Sequence, residues 1–277
     1  MTKFLYRSYV ALGDSLTEGL GDTDFELDRH SKGWADRLAG LLACEAANAQ
    51  QSFDYANLAL RGSDSLAILT AQLEQALELK PDLVTIMTGA NDLVKLRSRR
   101  EMIEHMLRGA LTRLYNEGTH VVLVNTVRPT HISIARPMVH RAVQMSELIA
   151  DVAAEFGTPI VDVNSIDEFG RLDYWSGDLA HFSHRGHVLI TNKVAESLGL
   201  ELRDGTEVEP GPLRMTAAEY GKWFAADVLP FWGRRLRGVT AGTWLQPKHS
   251  RLQRLVDAPA RAAHPIWLDD ASVPVDA

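Results

Sequence analysis

Four short stretches carry the residue types from which a reactive site can be built. Ser15 lies in Gly13-Asp14-Ser15-Leu16-Thr17-Glu18-Gly19, directly after the apolar run Tyr9-Val10-Ala11-Leu12, so it falls where a buried strand ends and the chain turns. A serine there can act as a nucleophile, and Gly13 lets the backbone turn tightly enough to present it. Next come Asn57-Leu58-Ala59-Leu60-Arg61-Gly62, a strand running into a glycine, and Thr88-Gly89-Ala90-Asn91-Asp92, again at a strand end. Asp178-Leu179-Ala180-His181 precedes the last helix of the repeating pattern. Singly, each has an ordinary reading: Gly62 as a turn glycine, Asn91 as a cap, His181 as a solvated loop histidine. Found together at strand ends they point to one site, because ligands of an open α/β sheet bind outside the carboxyl ends of its strands.

The elements that must position these residues follow from the hydrophobic pattern. Strands are expected near 5–12, 53–58, 82–88, 120–126 and 159–163, and helices over about 33–46, 65–79, 101–117, 138–156 and 185–198. Val84-Thr85-Ile86-Met87 and Val121-Val122-Leu123-Val124 lack polar alternation, as expected for central strands buried on both faces. The alternation predicts an α/β fold with a five-stranded parallel sheet between two helical layers. Three loops exceed what such a unit needs, at 19–32, 127–137 and 164–180, and long loops at strand ends more often serve function than fold. Ser183 suits the N-cap of the last helix, which would help fix the loop bearing His181.

In these stretches the sequence resembles the SGNH hydrolases, the GDSL family of esterases and lipases. The first family block matches Gly13-Asp14-Ser15-Leu16, the glycine of the second matches Gly62, the third matches Gly89-Ala90-Asn91-Asp92, and the fifth matches Asp178-Leu179-Ala180-His181. The likeness covers about residues 5–199 and implies a flavodoxin-like α/β/α sandwich. It further implies that Ser15 attacks an acyl carbonyl, that His181 takes the proton and returns it to the leaving alcohol, and that Asp178 orients the imidazole. The backbone N–H groups of Ser15 and Gly62 and the side-chain amide of Asn91 would form the oxyanion hole, without cofactor or metal. One departure is Phe182, where many members have proline; it alters the local turn but removes no reacting group. Asp14 and Asp92 adjoin reacting residues and are read as structural hydrogen-bonding groups.

Other chemistries fit less well. The array Asp178-x-x-His181-x-x-His184-x-x-His187 could hold zinc, but it crosses a helix start. A dinucleotide site would need a glycine where Asp24 stands after Gly19-Leu20-Gly21, and Gly-x-Ser-x-Gly is absent. The expected activity is hydrolysis of carboxylic esters, with short acyl chains favoured because no long apolar lid segment is evident. Lipase, lysophospholipase or thioesterase action on longer chains, and a non-catalytic binding module on the same fold, stay open as alternatives.

The bulk composition is consistent with such an enzyme. The chain has 277 residues, is 45% hydrophobic and carries a formal net charge of -7, so it has no global attraction for nucleic acid or anionic lipid. Cys44 is the single cysteine, which rules out an intramolecular disulfide. Without a secretory pattern or an apolar span of about 20 residues, a cytoplasmic location is expected. Residues 1–202 are taken as the catalytic domain, 203–215 as a linker, and 216–277 as a basic, tryptophan-rich extension expected to be helical. Between 216 and 262, eight basic residues face three acidic ones, and four of the six tryptophans lie beyond the linker. The extension is expected to dock on the acidic domain, with membrane attachment as the less favoured alternative.

Overall fold

A computed structural model describes residues 5–22, 32–93, 100–125, 127–130, 136–200 and 246–256, with isolated positions between 216 and 267. The expected linker at 203–215, Trp223, Trp232 and Trp244, and parts of two long loops (23–31 and 131–135) lie outside the described residues.

Five parallel strands form the centre of the sheet: β1 (Ser8–Leu12), β2 (Phe53–Asn57), β3 (Leu83–Met87), β4 (His120–Val124) and β5 (Ile160–Val161). Their order is β5-β4-β3-β1-β2. The chain runs from β1 outward to β2 and then crosses back to β3, so the topological switch point lies between β1 and β3. The segments that follow β1, β2 and β3 carry Ser15, Gly62 and Asn91, respectively.

Alternation along the strands divides the core in two. Tyr9 and Ala11 of β1 join a cluster with α2 (Trp34–Asn48) and α7 (His184–Ser197), whereas Val10 and Leu12 face a second cluster. That second layer comprises α3 (Ser65–Ala67), a π-helical turn (Ile68–Gln72), α4 (Leu73–Leu79), α5 (Arg100–Asn116) and α6 (Arg136–Phe156). In α5 the buried residues Ile103, Leu107, Ala110, Leu111 and Leu114 recur at helical spacing, which produces its single apolar face. Both clusters are formed from fully buried side chains, and the strands between them read as nearly continuous apolar runs.

Two features differ from the expectation. A short helix, α1 (Ser15–Glu18), stands where only a turn was expected, starting at Asp14 and ending at Gly19 with φ 103°. The extension is helical at Ala218, Gly221 and Lys222 but also supplies strands, which were not expected. β6 (His249–Val256) pairs antiparallel with β2, and β7 (Ile266–Trp267) pairs antiparallel with β6, so the sheet has seven strands. The reason is legible in β6 itself. β7 covers only Leu255 and Val256, so over most of its length β6 has β2 as its one described strand neighbour; its described exposed positions are Ser250, Arg251 and Arg254, and such charge masks strand alternation while guarding against aggregation.

Candidate active site

β1 is buried from Tyr9 to Leu12, and the chain leaves it through Gly13. A Cβ on Gly13 would lie 2.2 Å from the Thr17 Oγ1, so only glycine lets the turn close this tightly. Asp14, in extended conformation, caps α1: its Oδ1 accepts the Leu16 N–H at 3.0 Å. Ser15 is therefore the first helical residue, in a turn whose N–H groups lack intrahelical acceptors.

Across the crevice, the Asp178-x-x-His181 loop carries the other candidate reacting groups. His181 Nε2 lies 2.8 Å from Ser15 Oγ, and His181 Nδ1 lies 2.5 Å from Asp178 Oδ2. The second carboxylate oxygen of Asp178 accepts the Ser176 hydroxyl at 2.5 Å and the N–H groups of Ala180 and His181, both at 3.0 Å. Burial alone would raise the pKa of Asp178. The hydrogen bond and charge of His181, with the Ser176 and Ala180 donors, outweigh it and hold the carboxyl well below its usual range. Between them Leu179 has φ 54°, a left-handed conformation that a leucine adopts only when its surroundings impose it.

Those surroundings are aromatic. Phe182 is fully buried, with ring centroids 5.0 Å from Phe169 and 5.3 Å from Trp175. It also bridges to Trp175 across the loop, and Ser176 N–H donates to His181 O at 2.9 Å. Phe182 is thus an apolar anchor for the loop. Ser183 N-caps α7 as expected, its hydroxyl accepting the Gly186 N–H and donating to Asp173 O at 2.8 Å.

Gly62 has φ 82°, in the left-handed region, at the end of the segment following β2. Asn91 sits in a 3-10 turn after β3, and its Nδ2 donates to Asp14 Oδ2 and to Ser63 O, both at 3.0 Å. The structure thereby brings Asn91 against the neighbours of both Ser15 and Gly62. Burial pushes the Asp14 carboxyl up to about 6, against the opposing effects of the Leu16 N–H, the His181 charge and the Asn91 amide. Asp14 thus holds the turn and makes no hydrogen bond to Ser15 Oγ, as its structural reading requires. Asp92 likewise accepts from Ser65 N–H at 2.9 Å and from its hydroxyl at 2.8 Å.

Sequence reasoning missed one participant altogether. Gln72, in the π-helical turn and 5% exposed, accepts the Gly13 N–H through Oε1 and donates from Nε2 to Gly13 O, each at 2.9 Å. The side-chain amide pairs with the backbone as a neighbouring strand would, beside the Leu60 N–H that also donates to Gly13 O at 3.2 Å. Nε2 also reaches Ser63 Oγ at 3.3 Å. Gln72, Gly13, Asp14, Asn91 and Ser63 therefore form a closed hydrogen-bonded ring joining the segments after β1, β2 and β3. The only possible signal, a glutamine inside an amphipathic helix, is too common to notice.

The remaining histidines face elsewhere. His184 Nδ1 is 3.0 Å from Asp22 Oδ1, and Asp22 also accepts from Arg37 at 2.6 Å. His187 is fully buried; its Nδ1 accepts the Trp34 N–H at 3.2 Å, so its Nε2–H donates to Leu20 O at 3.0 Å. Burial lowers its pKa to about 4 and keeps it neutral. Among the described residues, no group of three or more metal-ligating side chains converges, and no helix is long and apolar enough to cross a membrane.

Residues 11–189 match the GDSL-like lipase/acylhydrolase family. The chain belongs to this family. Membership makes it an esterase or acylhydrolase, and the sheet order is that of the flavodoxin-like SGNH hydrolase fold. No curated protein sequence matches the chain. Among solved structures, it is similar to the acetylxylan esterase Axe2 from Geobacillus stearothermophilus, with a TM-score of 0.60 and 20% identity, over 74% of this chain and 100% of that one. The lipase/acylhydrolase from Enterococcus faecalis gives a TM-score of 0.56 at 22% identity, over 72% of this chain and 100% of the other. An α/β hydrolase from the metagenome of Lake Arreo, Spain, gives 0.56 at 21% identity, over 69% and 94%. At these identities the likeness shows the fold that GDSL-like members share.

Proposed function

We propose that this GDSL-like hydrolase cleaves carboxylic esters, preferring short acyl chains, through an acyl-enzyme on Ser15. The observation that carries the reading is the continuous line from Asp178 Oδ2 to His181 Nδ1 at 2.5 Å and from His181 Nε2 to Ser15 Oγ at 2.8 Å. Ser15 Oγ adds to the ester carbonyl as its proton passes to His181 Nε2. Collapse of the tetrahedral intermediate expels the alcohol, which takes that proton from His181. Water, deprotonated by the same imidazole, then attacks the acyl-serine and releases the acid. Asp178, kept ionised, holds the Nδ1–H tautomer and stabilises the transient imidazolium.

The backbone N–H groups of Ser15 and Gly62 and the Asn91 amide form the oxyanion hole in this reading. Both Asn91 N–H bonds are engaged, by Asp14 and by Ser63 O, so the developing oxyanion competes for one of them and the ring aims it. In sequence, loops 19–32, 127–137 and 164–180 contain no long apolar stretch to cover an extended acyl chain. The enzyme is read as metal-independent and cytoplasmic, acting on a small ester rather than on nucleic acid.

The test is a panel of chromogenic esters of increasing acyl length with wild type and Ser15→Ala. Wild type turns over the shortest members fastest, and the variant falls by roughly 10⁴-fold or more in kcat while keeping its melting temperature. It also loses labelling by a serine-directed fluorophosphonate. Wild-type turnover by Ser15→Ala would refute the assignment.

A further inference from the structure

Outside the family-matched residues 11–189, the side chain of Lys248 reaches back to the nucleophile turn. β6 is fixed along the β2 edge by its ladder, by the Arg254–Asp54 ion pair at 2.7 Å and by Gln75 Nε2 donating to Ser250 O at 2.7 Å. Just before its first residue, Lys248 turns inward. Its Nζ donates to Asp36 Oδ2 at 2.8 Å and lies 3.4 Å from the backbone oxygen of Glu18, the last residue of α1. The two side chains of the ion pair are 8% and 4% exposed, so water does not screen it.

Asp36 is where this contact acts. It lies in the first turn of α2, accepts the Gly33 N–H at 2.9 Å and the Tyr55 hydroxyl at 3.1 Å, and so holds the start of that helix. Gly33 is pressed against α1: a Cβ there would lie 2.5 Å from Gly19 Cα. Burial opposes ionisation of Asp36, and the charge of Lys248, aided by that of His249, reverses this and lowers its pKa. Lys248 therefore joins the carboxyl end of α1 to the amino end of α2, and α1 begins with Ser15. Without the ammonium, a buried carboxylate is left unpaired next to the short helix that bears the nucleophile. It must then draw in water or a proton, and Gly33 and Gly19 separate.

We propose that Lys248 is a positioning residue for Ser15, delivered by a strand outside the family-matched region. The extension is thus part of the machinery that holds the reacting geometry. The inference rests on reading Ser15 as the nucleophile.

The experiment uses the full chain with Lys248→Met, Lys248→Arg, Asp36→Asn and the Lys248→Met, Asp36→Asn double variant. Each is followed by ester kinetics, fluorophosphonate labelling, melting temperature and amide hydrogen exchange of residues 15–19. Lys248→Met is expected to lose about 10- to 10²-fold in kcat and labelling rate, with KM little changed and faster exchange at 15–19, because sub-ångström misplacement acts on the chemical step. Lys248→Arg, which keeps the charge, and the double variant, which leaves no unpaired buried charge, recover most of the loss. A folded Lys248→Met protein with wild-type kcat and exchange overturns the proposal. So does a folded double variant as impaired as Lys248→Met, since the loss would then come from strand packing. Should Lys248→Met not fold, a folded but inactive double variant likewise overturns it, and an active one supports it. If wild type hydrolyses no ester yet the exchange pattern holds, the proposed activity fails and the positioning role stands.

Discussion

The hydrogen bonds that Asp178 makes with Ser176, Ala180 and His181 span two or three residues, whereas the contacts that hold the Ser15 turn span 59 residues to Gln72 and 77 from Asp14 to Asn91. The Lys248–Asp36 contact behind that turn spans 212. The acid–base loop is thus a local device that closes cheaply, stiffened by Phe182 and the strained Leu179. The Ser15 turn is a short helix with almost no stability of its own, held by groups that arrive only when the whole sheet has formed. Damage to the loop should therefore fall on particular reacting atoms, while damage to the supports of the turn should blunt the chemistry in proportion to how far Ser15 moves.

The largest expected effect tests the local half. His181→Ala should lower kcat/KM by roughly 10⁴-fold, since it removes the group that moves the proton. His184→Ala, three residues on but bonded to Asp22, should keep most of its activity. Equal losses from the two, measured by ester hydrolysis, would mean that the loop acts as one structural block.

An intermediate effect tests the distant half. Gln72→Leu leaves the Gly13 N–H buried without its partner, while Gly13 O keeps the Leu60 N–H, at a cost of about 1–3 kcal/mol in stability. It should lower kcat by about 10- to 10²-fold with KM little changed, because the turn relaxes while the substrate crevice keeps its lining. Steady-state kinetics below the variant's melting temperature decide the matter. An unchanged kcat would show that β1 alone fixes the turn.

The smallest effect concerns His187, which ties Leu20, beyond the turn, to α7, beyond the loop. Its pKa of about 4 lies below the ordinary 6.5, so as pH falls below 6.5 the unfolded chain takes up a proton that the native state declines. Native stability is therefore lost progressively on that interval, by about 2 kcal/mol between pH 7 and pH 5. Asp14, raised to about 6, has the opposite slope, since its native state holds a proton that the unfolded chain releases. Denaturant unfolding should accordingly be compared between wild type and His187→Gln, whose stability should fall less on acidification. Parallel pH curves for the two proteins would mean that His187 is not held neutral.

Much of the fold was legible because burial leaves a period in the sequence. The five parallel strands and the helices between them lie within a few residues of where the apolar runs placed them, since a strand covered on both faces must be apolar throughout. β6 was hidden for the converse reason: one side faces solvent, and Arg251 and Arg254 gave it the look of a charged surface segment. The π-helical turn was hidden too, because a local widening of the helix leaves the apolar spacing of 65–79 nearly unchanged.

The sequence by itself determined the chemistry on offer and its order along the chain. Ser15, Gly62, Asn91 and Asp178-x-x-His181 stand at strand ends, and the internal spacing of the last motif suffices to join acid and base because three residues span one turn of loop. The tertiary structure alone decided what steadies the Ser15 turn. That Gln72 pairs with Gly13, that Asn91 closes the ring and that Lys248 meets Asp36 depend on which segments share the edges and ends of one sheet. Such pairings leave no period or spacing in the chain, since their partners come together only once the packed core has set the register.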